Sequence, residues 1–309
     1  YTRKMLAVLR YRHIPYEFLI GNQADAMDLP QAKVNLLPTF YLLNDAGELR
    51  AEVDSTPLIR RFEAEFEGRS TIPSNPVMAF LNYLIEDYGD EWLTKAMFHY
   101  RWYYDTDIKK AAKILPRWRL QQSSDEDLAK MEKYIGERQI SRLYVVGSNN
   151  ITAPVIEASY RRFLKQLDKI LSRHPFVFGS RPSSADFALY AQLTQLAKFD
   201  PTPASICLKE SPRVYAWVDI VDDLTGQPAE ADAWLNVAEV KEHLFGLLSE
   251  IGRTYTPALL ANARAISSGD NQMQAVIDGK AWEQPAFPYQ AKCLEWIREE
   301  FSALSPEDQ

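Results

Sequence analysis

The sequence predicts an α/β domain at the N-terminus, followed by an all-α helical-bundle domain. The first observation is the segment 36–66, in which two short apolar runs, separated by a turn, lead into an amphipathic stretch. The second is a change of character after residues 69–76, a segment rich in proline and short polar residues, beyond which apolar residues recur with helical spacing. A length of 309 residues also suits about two domains.

The residues before this segment predict a helix and then a strand. Apolar residues within 2–11 fall on one side of a helix, and Pro15 limits that helix, because a residue before proline leaves the helical region. Residues 16–20 (YEFLI) predict a strand that ends at Gly21. Since the chain opens directly inside the helix, a strand upstream of Tyr1 is expected to complete a βαβ unit.

The segment 36–66 predicts strand, tight turn, strand and capped helix. Residues 44–47 (NDAG) supply the turn, in which glycine adopts positive φ without steric cost. Either Asp54 or Ser55 can accept a hydrogen bond from the free N–H groups that follow. Pro57 falls in the first helical turn, where no backbone donor is needed.

The remainder of the chain predicts helices. Residues 77–104 contain no proline and predict one long helix. Ser183 and Asp186 form a capping-box pattern before the apolar run FALYAQL, so another helix is expected to begin there. The other predicted helices are one that ends at 140 and those at 154–171, 214–221, 236–251, 257–265 and 291–303.

Composition and missing motifs restrict the function. A net charge of −7 argues against nucleic acid and anionic membrane surfaces as partners, and no apolar run approaches the roughly 20 residues that span a bilayer. Cys207 and Cys293 lie far apart, which favours a reducing, cytoplasmic location without disulfides. The chain has no P-loop, GxGxxG, GxSxG, CxxC or HExxH motif, so neither a nucleotide nor a metal is expected.

Three pieces of the chain together resemble the glutathione transferase superfamily. TRKMLAVLRYRHIPYEFL is similar to the first helix and second strand of that family, and LLPTFYL followed by DAGELRAEVDSTPLIRRFE is similar to its ligand-binding segment. FVFGSRPSSADFALYAQL and SPRVYAWVDIV are similar to its capping region and a closing helix. The resemblance spans about residues 1 to 222.

The resemblance implies a glutathione-transferase-like fold and a homodimer. Residues 1–69 would form a thioredoxin-like domain whose first strand lies upstream of residue 1, and residues 70–222 would form the all-α domain. Residues 223–309 would be a mostly helical extension, longer than the family usually carries.

The resemblance also implies how glutathione, the co-substrate, would bind. Pro38 would be a cis-proline that turns the peptide of Leu37 toward the ligand, and the Leu37 backbone would pair with the ligand backbone. The N–H groups after Asp54 and Ser55 would receive the γ-glutamyl carboxylate at the positive end of a helix dipole. The Asp54 carboxylate would hold the ligand's ammonium group.

The catalytic residue, a Ser, Cys or Tyr in this family, is unknown and is expected upstream of, or at, Tyr1 and Thr2.

The implied pocket for the second substrate uses a stripe on one helix face. The stripe consists of Tyr88, Trp92, His99 and Trp102. The alternative is that these side chains pack the interior. The nearby carboxylates of Glu86, Asp87, Asp90 and Glu91 are most simply a solvated face, and the alternative is that one of them contacts the ligand's amine across a dimer interface.

Two functions from different classes follow. The first is a glutathione transferase that binds glutathione and activates its thiol for attack on a hydrophobic electrophile. The second is a non-catalytic, glutathione-transferase-like scaffold for dimerisation or partner binding, which the long extension favours.

Overall fold

The computed structural model describes residues 1–230 and 233–309. Its strands are β1 (Phe40–Leu43), β2 (Leu49–Glu52), β3 (Gln272–Ile277) and β4 (Lys280–Pro285). Its helices are α1 (Thr2–Arg12), α2 (Ser55–Glu65), α3 (Pro76–Glu91), α4 (Leu93–Tyr103), α5 (Asp105–Arg119), α6 (Asp125–Ile140), α7 (Ala153–Leu171), α8 (Ser184–Leu193), α9 (Pro201–Glu210), α10 (Pro212–Val221), α11 (Val237–Glu250), α12 (Thr256–Ser268) and α13 (Pro288–Ser302). None of the helices in these ranges is both long and apolar enough to cross a bilayer.

The predicted hairpin and capped helix of the segment 36–66 are confirmed. β1 and β2 pair antiparallel, from Phe40 opposite Glu52 to Leu43 opposite Leu49. The side chain of Asn44 closes the turn by accepting hydrogen bonds from two backbone N–H groups, and Gly47 has a φ of 77°. The α/β character of the N-terminal region consists of this hairpin with α1 and α2, and its thioredoxin-like assignment stays a prediction.

The predicted strand at 16–20 is wrong. The two sheets of the described residues are the hairpins β1–β2 and β3–β4, so no strand lies beside 16–20 to complete a hydrogen-bond ladder. Phe18 and Ile20 are more than half exposed, which shows that the apolar alternation has no face to bury against. An alternating pattern forms a strand only where a neighbour pairs with its backbone.

The helical character after residue 76 is confirmed, but the predicted single helix over 77–104 divides into α3 and α4 at Trp92. There the Lys95 N–H donates to the Trp92 carbonyl, a spacing of three residues that tightens the turn. The indole N–H of Trp92 donates to Ser159 Oγ of α7 at 2.8 Å, and this contact holds the ring in the interior. α5 is a helix that the sequence pattern did not reveal.

The core of the helical region forms around α8. The predicted capping box is present, because Ser183 accepts from the Asp186 N–H and the Asp186 carboxylate accepts from the Ser183 N–H. All ten residues of α8 are buried. α3 approaches α8 closely at Gly89, where an added Cβ would lie 3.2 Å from the Leu189 side chain.

The C-terminal extension holds the three predicted helices as α11, α12 and α13, together with a hairpin that was missed. β3 and β4 meet at Asp278 and Gly279, whose φ angles are 48° and 77°. This two-residue Asp-Gly turn is a recognised hairpin signal, and the sequence offered it between two β-compatible runs. Trp282 of β4 packs against Trp92 at a ring distance of 5.6 Å, so the hairpin is anchored on the helical core. The domain boundaries at 69 and 222 stay predictions.

Candidate functional site

The start of α2 places three polar groups together. Asp54 lies before the helix with a φ of 83°, and its Oδ1 accepts a long hydrogen bond of 3.4 Å from the Thr56 N–H. Its Oδ2 accepts from the Tyr289 hydroxyl of α13 at 2.8 Å. Ser55 is only 3% exposed. The predicted cap at this position is therefore confirmed, and the helix N-terminus faces residues from the far end of the chain.

The peptide bond between Leu37 and Pro38 is cis, as the resemblance implied. The Leu37 residue is 71% exposed. Within the described residues its backbone N–H and C=O take part in no hydrogen bond. The backbone groups of Leu37 are therefore open to a ligand. The glutathione-binding roles of Leu37, Pro38, Asp54 and Ser55 stay predictions.

A buried ion cluster lies directly beneath Ser55. The ammonium group of Lys4, on α1, donates to Ser55 Oγ at 3.1 Å, to Glu86 Oε1 at 2.8 Å and to Asp90 Oδ2 at 2.5 Å. Both side chains of the Lys4–Glu86 pair are fully buried. Burial alone would raise the pKa of Glu86, but the attraction of Lys4 and Arg60 outweighs it and lowers this pKa to about 2.

The interpretation of the α3 carboxylates as a solvated face is therefore wrong. Glu86, Asp87 and Asp90 are all buried. The face they occupy packs against α1 and the extension, and the charge is balanced by Lys4 and, at 3.5 Å, by Arg60. A charged run shows which residues share a helix face, but the position of a buried counter-charge from another element is a tertiary property.

The extension contacts the remaining carboxylates of α3. Burial raises the pKa of Asp87 to about 8, even though the Tyr255 hydroxyl donates to its carboxylate at 2.5 Å. The Gln290 amide donates to Glu91 at 3.3 Å. Burial also raises the pKa of Glu91. The extension thus supplies the polar partners of this end of α3.

The predicted substrate-pocket stripe lies in the interior. Tyr88, Trp92, His99 and Trp102 are each 0–2% exposed. His99 Nδ1 lies 2.7 Å from Ser148 Oγ, and its Nε2 lies 3.3 Å from Glu157 Oε1. Neither the cavity beside Thr56 and Arg60 nor the one beside Tyr104 and Glu157 is lined by the stripe. The placement fits the alternative of interior packing, and a pocket role stays a prediction.

The hydroxyl of Tyr1 is turned toward α3. It donates to the Asp90 carbonyl at 2.8 Å and lies 3.3 Å from Thr94 Oγ1. Burial, with the carboxylates of Glu91 and Asp90 nearby, raises the pKa of this phenol well above its usual range. Tyr1 therefore keeps its proton at neutral pH. The catalytic role proposed for Tyr1 or Thr2 stays a prediction.

The sequence did not reveal that α13 forms part of this region. A cavity of about 190 Å³ lies beside the first turns of α2, and α13 contributes Trp296, Glu299 and Glu300 to its lining. The amphipathic pattern at 291–303 predicted the helix, but no local signal indicates where a C-terminal helix docks. Over the described residues, no group of three or more His, Cys, Asp or Glu side chains is arranged to hold a metal ion.

Comparison with known proteins places the helical region in a family. Residues 117–219 match the family model of the glutathione S-transferase C-terminal domain. No curated protein and no solved structure matches the chain significantly. The matched range covers α6 to α9, with parts of α5 and α10. This match bears out the resemblance to the glutathione S-transferase superfamily over the helical region.

Proposed function

We propose that the protein binds glutathione at the start of α2 and activates its thiol for attack on a hydrophobic electrophile. The observation that carries the proposal is the helix N-terminus at Asp54, Ser55 and Thr56, which opens beside a small cavity. Its occurrence in a chain with a glutathione S-transferase C-terminal domain supports glutathione over other anionic ligands.

The γ-glutamyl carboxylate would bind the first N–H groups of α2. A helix N-terminus carries about half a positive charge, and its first N–H groups lack partners within the helix. The charge of the buried Lys4 ammonium, which contacts Ser55 Oγ from beneath, is offset by Glu86 and Asp90, so the helix N-terminus itself supplies the positive field. This field favours an anionic group over a neutral one at this position.

The rest of the tripeptide would follow the exposed edge at Leu37. Its free N–H and C=O can form a short antiparallel pairing with the ligand's cysteine residue. The Asp54 carboxylate, with one oxygen shared with Tyr289, would contact the ligand's ammonium group. Both contacts would require the ligand to bind as an extended peptide.

Thiol activation would use the positive end of α1. The first N–H groups of a helix lack partners within the helix, so those of α1 could donate to a thiolate. A helix N-terminus lowers the pKa of a nearby thiol from its ordinary value near 8.5 and raises the fraction of nucleophile at neutral pH. The co-substrate is proposed to be hydrophobic, and the protein is proposed to act as a cytoplasmic homodimer.

Isothermal titration with reduced glutathione tests the binding step. We expect the wild type to bind, and the double variant Asp54→Ala, Ser55→Ala to lose at least about tenfold in affinity, since charged hydrogen bonds contribute on the order of 1.5–3 kcal/mol. Asp45→Ala, which removes an exposed carboxylate of the β1–β2 turn, is the matched control. A wild-type protein without measurable binding or thermal shift contradicts the proposal.

The alternative is a non-catalytic scaffold, and one observation favours it. α13 lies over the start of α2, and the aromatic stripe that was expected to line the electrophile pocket is buried in the interior. A scaffold would show no glutathione-dependent turnover with any electrophile and would keep its oligomeric state after the Asp54 and Ser55 substitutions. Light scattering of the wild type and the double variant measures that state.

A further inference from the structure

The cavity between α2 and α13 contains charges of both signs. Arg60 lies on its α2 side, and Glu299 and Glu300 lie on its α13 side. Tyr83 and Trp296 provide apolar walls. A volume of about 190 Å³ is below the roughly 300–1,000 Å³ of pockets that enclose a whole drug-sized ligand. The cavity therefore suits one end of a ligand.

These charges are not neutralised by one another. The guanidinium of Arg60 lies over the Tyr83 ring at 5.2 Å and reaches Glu86 only at 3.5 Å. Among the described residues, Glu299 and Glu300 have no cationic partner within ion-pair distance. Arg60 thus keeps donors for an anion, and the two carboxylates keep acceptors for a cation.

α13 is held in place at both ends. Near its start, Tyr289 donates to Asp54 at 2.8 Å and Gln290 donates to Glu91 at 3.3 Å. Near its end, Phe301 packs against Phe80 of α3 at a ring distance of 5.5 Å. The carboxylates of α13 therefore face α2 in a defined position, while Asp54 is partly engaged by Tyr289.

We infer that this cavity binds a zwitterionic α-amino-acid group, with its carboxylate on Arg60 and its ammonium on Glu299 and Glu300. The inference rests on the proposed function in one respect, since the γ-glutamyl end of glutathione carries this group. It moves the γ-glutamyl carboxylate from the first N–H groups of α2 to Arg60, and the main ammonium contact from Asp54 to the C-terminal extension. A free amino acid such as glutamate offers the same chemistry. Tyr289 is then a positioning residue that keeps α13 against α2.

The test compares three ligands by titration calorimetry. Glutathione and glutamate carry both charges, whereas N-acetylglutathione lacks the ammonium. The variant is Glu299→Gln, Glu300→Gln, and the control is Glu295→Gln, an exposed carboxylate on the same helix outside the cavity lining. We expect the double variant to weaken glutathione about five- to tenfold at low salt, and less at high salt because exposed charges are screened. Binding of N-acetylglutathione should not change.

The three ligands separate this inference from the proposed function. If glutamate binds and the double variant weakens it while glutathione does not bind, the cavity assignment stands and glutathione is not the ligand. If glutathione binds equally well to the wild type and the double variant, the cavity assignment is overturned and the site at α2 stands. The cavity assignment is also overturned if the double variant loses the same affinity for glutathione and for N-acetylglutathione, or if none of the three ligands binds. Tyr289→Phe should weaken the ligands that carry the ammonium by about threefold, since one exposed hydrogen bond is lost.

Discussion

Replacing Lys4 with Met removes the only cation that contacts both buried carboxylates of α3 beneath Ser55 within the described residues. Lys4 lies 2.8 Å from Glu86 and 2.5 Å from Asp90, and the Lys4 and Glu86 side chains are fully buried. The pKa of Glu86 falls from an ordinary 4.5 to about 2. At 1.36 kcal/mol per decade, this corresponds to about 3 kcal/mol in favour of the charged form.

The expected loss for Lys4→Met is about 3–5 kcal/mol at pH 7, because an unpaired buried charge remains. This is a large part of the roughly 5–15 kcal/mol that stabilises an ordinary domain. In the wild type, the contribution of Glu86 is present above pH 4.5 and is lost as the pH falls toward 2. In the variant, the carboxylates without Lys4 are expected to take up protons near neutral pH. The difference in unfolding free energy between the wild type and the variant should therefore narrow as the pH is lowered from 7 to 4.

Guanidinium unfolding followed by tryptophan fluorescence measures this difference at several pH values. Lys133→Met is the matched control, because Lys133 is 77% exposed and pairs with Glu137 only at 3.9 Å. We expect it to change stability by less than about 1 kcal/mol. A loss below about 1 kcal/mol for Lys4→Met, or a loss that does not depend on pH, refutes the reasoning.

Three further substitutions test other parts of the structure. Gly147→Ala should lower the melting temperature and destabilise the protein by about 1–3 kcal/mol, since a Cβ there would lie 2.4–2.7 Å from the Trp282 ring at a φ of 72°. Asp87→Asn should become more stable relative to the wild type as the pH rises from 4 to 8. The pKa of Asp87 is raised from 3.8 to about 8 in the folded protein, so the wild type loses stability between these pH values, because the unfolded state releases this proton and the folded state keeps it. Unfolding curves at each pH would show the trend. Ser183→Ala should cost about 1 kcal/mol in denaturant unfolding through loss of the α8 cap, and an unchanged midpoint would contradict that role.

Much of the local structure could be predicted because its causes are local. The turn at Gly47, the cap at Asp54 and the capping box at Ser183 each depend on a few neighbouring residues with specific hydrogen bonds or φ angles. The helices after residue 120, apart from α9, follow from apolar spacing in the same way. The hairpin at Asp278 and Gly279 depends on an equally local signal, the Asp-Gly pair of its turn.

The errors share a different cause. The pattern at 16–20 has the residues of a strand, but no strand of the described residues pairs with it. The carboxylates on α3 were predicted to face solvent, because a local pattern does not show their counter-charge. That counter-charge, Lys4, lies 82 positions from Glu86 along the chain. The stripe at Tyr88 and Trp92 defines one helix face, yet its spacing is the same whether that face lines a pocket or packs the interior.

The sequence by itself determined where most helices begin and end, the capped start of α2, and the resemblance that the glutathione S-transferase C-terminal domain match bears out. Only the tertiary structure decided what surrounds that start. It placed Lys4 beneath Ser55, and it brought Tyr289 and Glu299 of α13 to the side of α2. The physical reason is how far apart along the chain the interacting residues lie. Caps and turns are set by atoms a few residues apart, whereas burial, charge pairing and cavity walls depend on contacts between segments that are far apart along the chain.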